Sequence, residues 1–156
     1  MSAPGSMTRL VLLVSVGLLA GVPLAQASDV TLEKAMKPYE KRLTTDISYL
    51  SSFSAPSKRA APAMLTKLSR IHNDLAGATD AADSQQASTS SGRQGRSEVL
   101  SALHDASLAT NDAKACATAA RSGKTSAAKR DAKAEQGEID KAIPLFESGG
   151  RKLNLF

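Results

Sequence analysis

Two histidines, one cysteine and a pair of closely spaced arginines are the residues of this chain best suited to chemistry. His72 and His104 are its only imidazoles, with Asp74 near the first and Glu98 and Asp105 near the second. Two histidines and a carboxylate can hold a metal ion with a position left open for water. The pattern departs from the Glu-x-x-His pairs of di-iron helical bundles, because Ser69 and Ser101 stand three residues before the histidines. The competing expectation is two ordinary histidines at the edge of an apolar face. Haem is served no better. Covalent c-type attachment needs Cys-x-x-Cys-His, which the sequence lacks. A b-type site would pair Met36 or Met64 with His104, yet methionine on an apolar face more often simply packs. No cofactor is expected.

The single cysteine, Cys116, excludes an internal disulfide framework. No histidine lies close in sequence to activate it. It reads as an inert, half-buried thiol, with a link to a second chain as the alternative. Between Gly92 and Arg96 the spacing puts Arg93 and Arg96 in the first turn of a helix, where the macrodipole disfavours positive charge. Free backbone N–H groups point the same way, so a phosphate, a sulfate or an anionic wall polymer could be held there. The alternative is a solvated turn whose arginines reach Glu98, Asp80 or Asp83. A second basic cluster (Lys124, Lys129, Arg130, Lys133) is diluted by Asp131 and Glu135 and reads as a solvated face. No Gly-x-Ser-x-Gly, no phosphate-cradling glycine loop and no His-Glu-x-x-His occurs. No catalytic residue is therefore named, and the chain reads as non-enzymatic.

Four apolar stripes at helical spacing must position these residues. The clearest is Met64, Leu68, Ile71, Leu75, Ala78, Ala82, in steps of four and three. It predicts a helix over about 58–86, with Pro62 in the first turn and Gly77 costing up to about 1 kcal/mol relative to alanine. Before it, Leu32, Met36, Tyr39, Leu43, Ile47, Leu50 and Phe53 predict a helix over about 31–53. Thr31 or Asp29 would cap it, and Pro38 would kink it and fray its start. After it, Val99, Leu103, Ala106, Thr110, Ala113, Ala117 and Ala120 predict a helix over about 92–121. A capping box of Ser91 and Gln94 would open that helix, and a left-handed Gly123 would close it. The fourth helix, about 125–147, carries Ala128, Ala132, Glu135, Ile139, Ala142 and Phe146, with Gly149 and Leu153 continuing the stripe. Pro144 should kink it and the Gly149–Gly150 pair should end it. An apolar tail over 151–156, with Leu153, Leu155 and Phe156, would fold back on the bundle.

Short connections and similar lengths predict an all-α fold, an up-down-up-down antiparallel four-helix bundle. A three-helix bundle with one loose segment is the alternative. The 27 alanines favour helix but bury little area, so the core should be thin and stability modest.

The chain has 156 residues, and its start reads as a leader. Arg9 precedes an apolar run over Leu10–Ala20, Gly21 and Pro23 break it, and Ala25 and Ala27 give a small-x-small cleavage pattern. This predicts a secretory signal peptide over 1–27, starting from Met1 or Met7, and a single domain over 28–156. An uninterrupted membrane span would need about 20 apolar residues. Losing Arg9 takes the formal charge from +5 to +4, with positives and negatives interspersed. With no Trp and two Tyr, that balance does not make a nucleic-acid binder. The expected function is an exported, secreted or extracytoplasmic bundle that binds a protein or envelope polymer, or serves as a structural envelope component. The alternatives are a small-ligand or metal carrier using the bundle interior, with His72 and His104 as ligands, and a binder of anionic polymers through Arg93 and Arg96. A monomer or a weak dimer through Cys116 is expected, and membrane contact only through the leader.

Overall fold

The computed structural model describes residues 24–155. Residues 1–23, on which the leader reading mainly rests, and Phe156 of the expected tail lie outside the described residues. The described chain is a bundle of four helices: α1 (Leu24–Ser51), α2 (Ala61–Asp83), α3 (Ser90–Arg121) and α4 (Thr125–Lys152). There is no strand among the described residues, and no helix among them is long and apolar enough to cross a membrane.

The four stripes turn inward. Leu32, Met36, Leu43 and Leu50 of α1 and Leu68, Ile71 and Leu75 of α2 are fully buried, with Met64 at the margin. Every residue of the expected α3 stripe is buried, and so are Ala102, Ala109, Cys116 and Ala119 beside it. The wider buried face follows from the packing. The α3–α4 seam is the largest interface, α3 also meets α2 and α1, and among the described residues the backbones of α2 and α4 stay apart. A helix with partners on several sides needs small residues around more of its circumference, which the alanines supply.

Several helix ends differ from the expectation. The cap of α3 is Thr89, whose Oγ1 accepts from the Gly92 N–H at 2.9 Å. Ser91 and Gln94 form no box, because Gln94 turns outward to donate to Glu98 at 3.0 Å. Gly123 does take the left-handed conformation (φ 74°) after α3. The Lys124 N–H reaches Ala119 O at 2.8 Å and the Gly123 N–H reaches Ala120 O at 3.0 Å, a Schellman closure. Helix α1 runs through Pro38 without interruption, and α4 runs through Pro144.

Gly149 and Gly150 do not end α4. They are buried in the seam, and the helix continues to Lys152. A β-carbon on Gly149 would stand 2.8 Å from Gly95 O and from the Val99 side chain, and one on Gly95 would stand 2.8 Å from Lys152 Cβ. The glycines allow two backbones to close on each other, a role that composition alone does not reveal. The stop comes later. Asn154 adopts φ 52°, the Leu155 N–H donates to Gly150 O at 2.9 Å, and Leu153 and Leu155 are buried as the tail folds back. Gly77 likewise has a packing reason: an added β-carbon would meet the Tyr39 ring at 3.0 Å.

Candidate functional site

The junction of α1, α2 and α3 is built from the arginine pair. Arg96 points back along α2. Its Nε donates to Ala82 O at 2.9 Å, and its Nη2 donates to Asp83 O at 3.0 Å and to Asp83 Oδ1 at 2.9 Å. These are carbonyls that the last turn of a helix leaves without partners. Arg93 donates to the Ser88 carbonyl. The anion at the start of α3 is Asp29 of α1. Its carboxylate accepts from the Ser88 N–H at 2.8 Å, from the Thr89 N–H at 3.4 Å and from the Thr89 hydroxyl. Burial alone would raise the Asp29 pKa, but the bonds from Thr89 and Ser88 and the charge of Arg93 outweigh it and hold the carboxyl below its ordinary value. Gly92 makes room for this, since a β-carbon there would lie 2.5 Å from the carboxylate. The Ser88 and Thr89 N–H groups just ahead of α3 are thus taken by a carboxylate of the chain itself, and the Gly92 N–H by the Thr89 hydroxyl.

The histidines occupy different surroundings. His104 is exposed on α3, beside Asp105 and Ser101. His72 is half-buried on α2, and its Nδ1 has no hydrogen-bond partner. The carboxylates near them in sequence are engaged elsewhere: Asp74 accepts from Arg42 at 3.2 Å, and Glu98 pairs with Lys152. Among the described residues, no group of three or more histidine, cysteine or acidic side chains is placed to hold a metal ion.

Cys116 is buried completely, more than its place beside the α3 stripe suggests. Burial first, then the negative charges of Asp131 and Glu135, push its pKa up, against a hydrogen bond from the Ala132 backbone. A thiol so placed stays protonated and unreactive. Linking it to a second chain would require opening the α3–α4 seam.

Two buried carboxyls escape a reading by motif. Asp46 of α1 is 1% exposed; its Oδ1 accepts from Arg70 of α2 at 2.9 Å, while its Oδ2 is buried without a partner. Burial first, then the neighbouring Asp74, raise its pKa against the pull of Arg70 and Lys67. The sequence does carry a sign of this clasp. Arg42 and Asp46 are four apart on α1, Arg70 and Asp74 are four apart on α2, and the charge order matches when the helices run in opposite directions. Glu135 of α4 falls on the apolar stripe, fully buried, with neither oxygen hydrogen-bonded. Burial, then Asp112 and Asp140, push its pKa up to about 8.

An apolar opening lies between α1 and α4. It is a cavity of about 380 Å³ lined by Thr44, Ile47 and Ser48 on one side and by Ile143, Phe146 and Glu147 on the other. No protein family, curated protein or solved structure gives a match to the chain.

Proposed function

We propose that the protein is an exported, non-enzymatic, antiparallel four-helix bundle that works by binding, with a small apolar ligand taken up between α1 and α4. The observation that carries the binding reading is the α1–α4 cavity. Its volume, about 380 Å³, falls within the range of small-molecule sites, and its walls combine Ile47, Ile143 and Phe146 with the polar rim of Thr44, Ser48 and Glu147. The non-enzymatic reading is supported by where the reactive side chains are spent. Arg96, Asp29, Asp46, Arg70 and Lys152 join one helix to another or to its capping turn.

The antiparallel order is supported by paired contacts. Arg42 meets Asp74 while Asp46 meets Arg70, Asp83 near the end of α2 meets Arg96 near the start of α3, and Glu98 near the start of α3 meets Lys152 at the end of α4. Export rests on the leader pattern ending at Ala27, and cleavage there would leave Asp29 as the second residue of the mature chain, at its post on α3.

A fluorescent apolar probe titrated into the purified chain tests the site. Saturable binding with one-site stoichiometry, lost in Ile143→Gln while the helical signal is kept, is the expected result. Unsaturable binding, or binding indifferent to Ile143→Gln, overturns it. Protein recovered from outside the cytoplasm should begin at Ser28, and an intact residue 1–27 segment there would refute cleavage.

A further inference from the structure

Glu135 is placed where the fold would be expected to put an alanine. It lies on the buried face of α4, is 0% exposed, and leaves two carboxylate oxygens without a donor. Opposite it on α3 are Asp112 and Cys116, four residues apart, and on α4 Asp131 precedes it by four. The electrostatic neighbours confirm the quadrilateral: Asp112 acts on Glu135 and is acted on by Asp131, while Cys116 is acted on by both Asp131 and Glu135. Glu138 and Asp140 add further negative charge from α4. The charges that shift the Glu135 pKa are Asp112 and Asp140, both negative. An ionised carboxylate in such a place has neither water, a donor nor a counter-charge, and a buried group meets that cost by keeping its proton.

We propose that Glu135 is a proton-operated latch on the α3–α4 seam: protonated, it packs as a neutral side chain and keeps Cys116 enclosed, and ionised, it forces the seam open around Cys116. Many of the buried side chains along this seam are small, Ala109, Ala113 and Ala117 on α3 and Ala128 and Ala142 on α4, with Ile139 one turn beyond Glu135.

The direction of the effect is fixed by linkage. The folded chain holds the Glu135 proton up to about pH 8, whereas the unfolded chain releases it near 4.5. Below the lower value both states are protonated and the group costs nothing. Between the two values only the unfolded state loses its proton, so folding weakens as pH rises, by up to about tenfold in the equilibrium constant per pH unit. Above the upper value the folded state is ionised as well, the loss levels off, and the seam carries the charge.

Denaturant unfolding of the full chain from pH 5 to pH 9 tests this, together with the rate at which Cys116 reacts with a thiol reagent. Each rate is divided by that of the unfolded chain at the same pH to remove the thiol's own ionisation. In the unaltered protein, stability should fall across pH 5–8 and Cys116 protection should fall about tenfold or more from pH 7 to pH 9. In Glu135→Gln, which keeps the shape and loses the titration, both profiles should flatten. If the buried amide prevents folding, Glu135→Met replaces it with an apolar side chain of similar length and should give the same flat profiles. Parallel stability curves in the unaltered and substituted proteins overturn the proposal, as does equal Cys116 protection in both at pH 9.

Discussion

Asp29 shows how one residue can meet the requirement that a whole motif suggests. The start of α3 offers backbone donors and a positive dipole end, and the sequence reading fills that place with an external anion attracted by Arg93 and Arg96. The structure fills it with a carboxylate from about sixty residues earlier in the chain. Spacing within a stretch reveals the donors and a partner as near as Asp83, which Arg96 does reach, but not one as distant as Asp29. The consequence for acid stability has a definite sign. Asp29 has a depressed pKa in the folded state, so its contribution is present above its unfolded value of about 3.8 and is lost as pH falls through the lower folded value. Asp29→Asn should cost about 0.5–1 kcal/mol near pH 7, and the difference between the two proteins should shrink below pH 4. Paired urea denaturation at pH 7 and pH 3 measures it. A difference unchanged at pH 3 would mean that Asp29 acts by shape rather than by charge.

At the scale of the element, α4 carries three glycine positions that the sequence cannot rank and the structure can. Gly137 is exposed with nothing within 4 Å of an added β-carbon, whereas Gly149 would drive one into Gly95 O, Val99 Cγ2 and the Val99 N–H. Gly137→Ala should therefore stabilise by about 0.5–1 kcal/mol through helix propensity. Gly149→Ala should destabilise by about 1–3 kcal/mol, because the obstacle is backbone and cannot swing away. Thermal and denaturant unfolding of the two variants should move in opposite directions, and a stabilising Gly149→Ala would show that the seam is looser than its geometry implies. The four stripes themselves were readable, since apolar spacing reports directly on the buried face. Their ends were not. Glycine is read locally as a breaker, while in α4 its use is set by α3, a partner that enters only through tertiary packing. Glu135 has the same character: its spacing places it on the stripe, but only its burial and the neighbouring Asp112 and Asp140 show why its pKa is pushed up.

For the whole molecule, the distribution of interfaces orders the parts by stability. The α3–α4 seam is by far the largest, α2 adds to α3, and α1 is spread thinly over α2, α4 and α3. Beside its buried Leu32, Met36, Leu43 and Leu50, α1 is clasped to α2 by Asp46, Arg70, Arg42 and Asp74, and the cavity of about 380 Å³ opens along its α4 side. An interface made of partly exposed ion pairs contributes little net stability, whereas buried apolar area contributes in proportion to its extent. Local opening follows such differences, with sub-global units releasing in order of the area they bury. Native-state hydrogen exchange should therefore protect the amides of α3 and α4 most, around Val99–Ala113 and Ile139–Phe146, with α2 next and α1 least. A ligand seated between Ile47 and Phe146 would bridge the weakest helix to the strongest pair. Saturating ligand should then slow exchange in α1 by a larger factor than in α3. Exchange slowed equally in all four helices would indicate a single cooperative unit, and slower exchange in α1 than in α4 before any ligand is added would reverse the order that the packing requires.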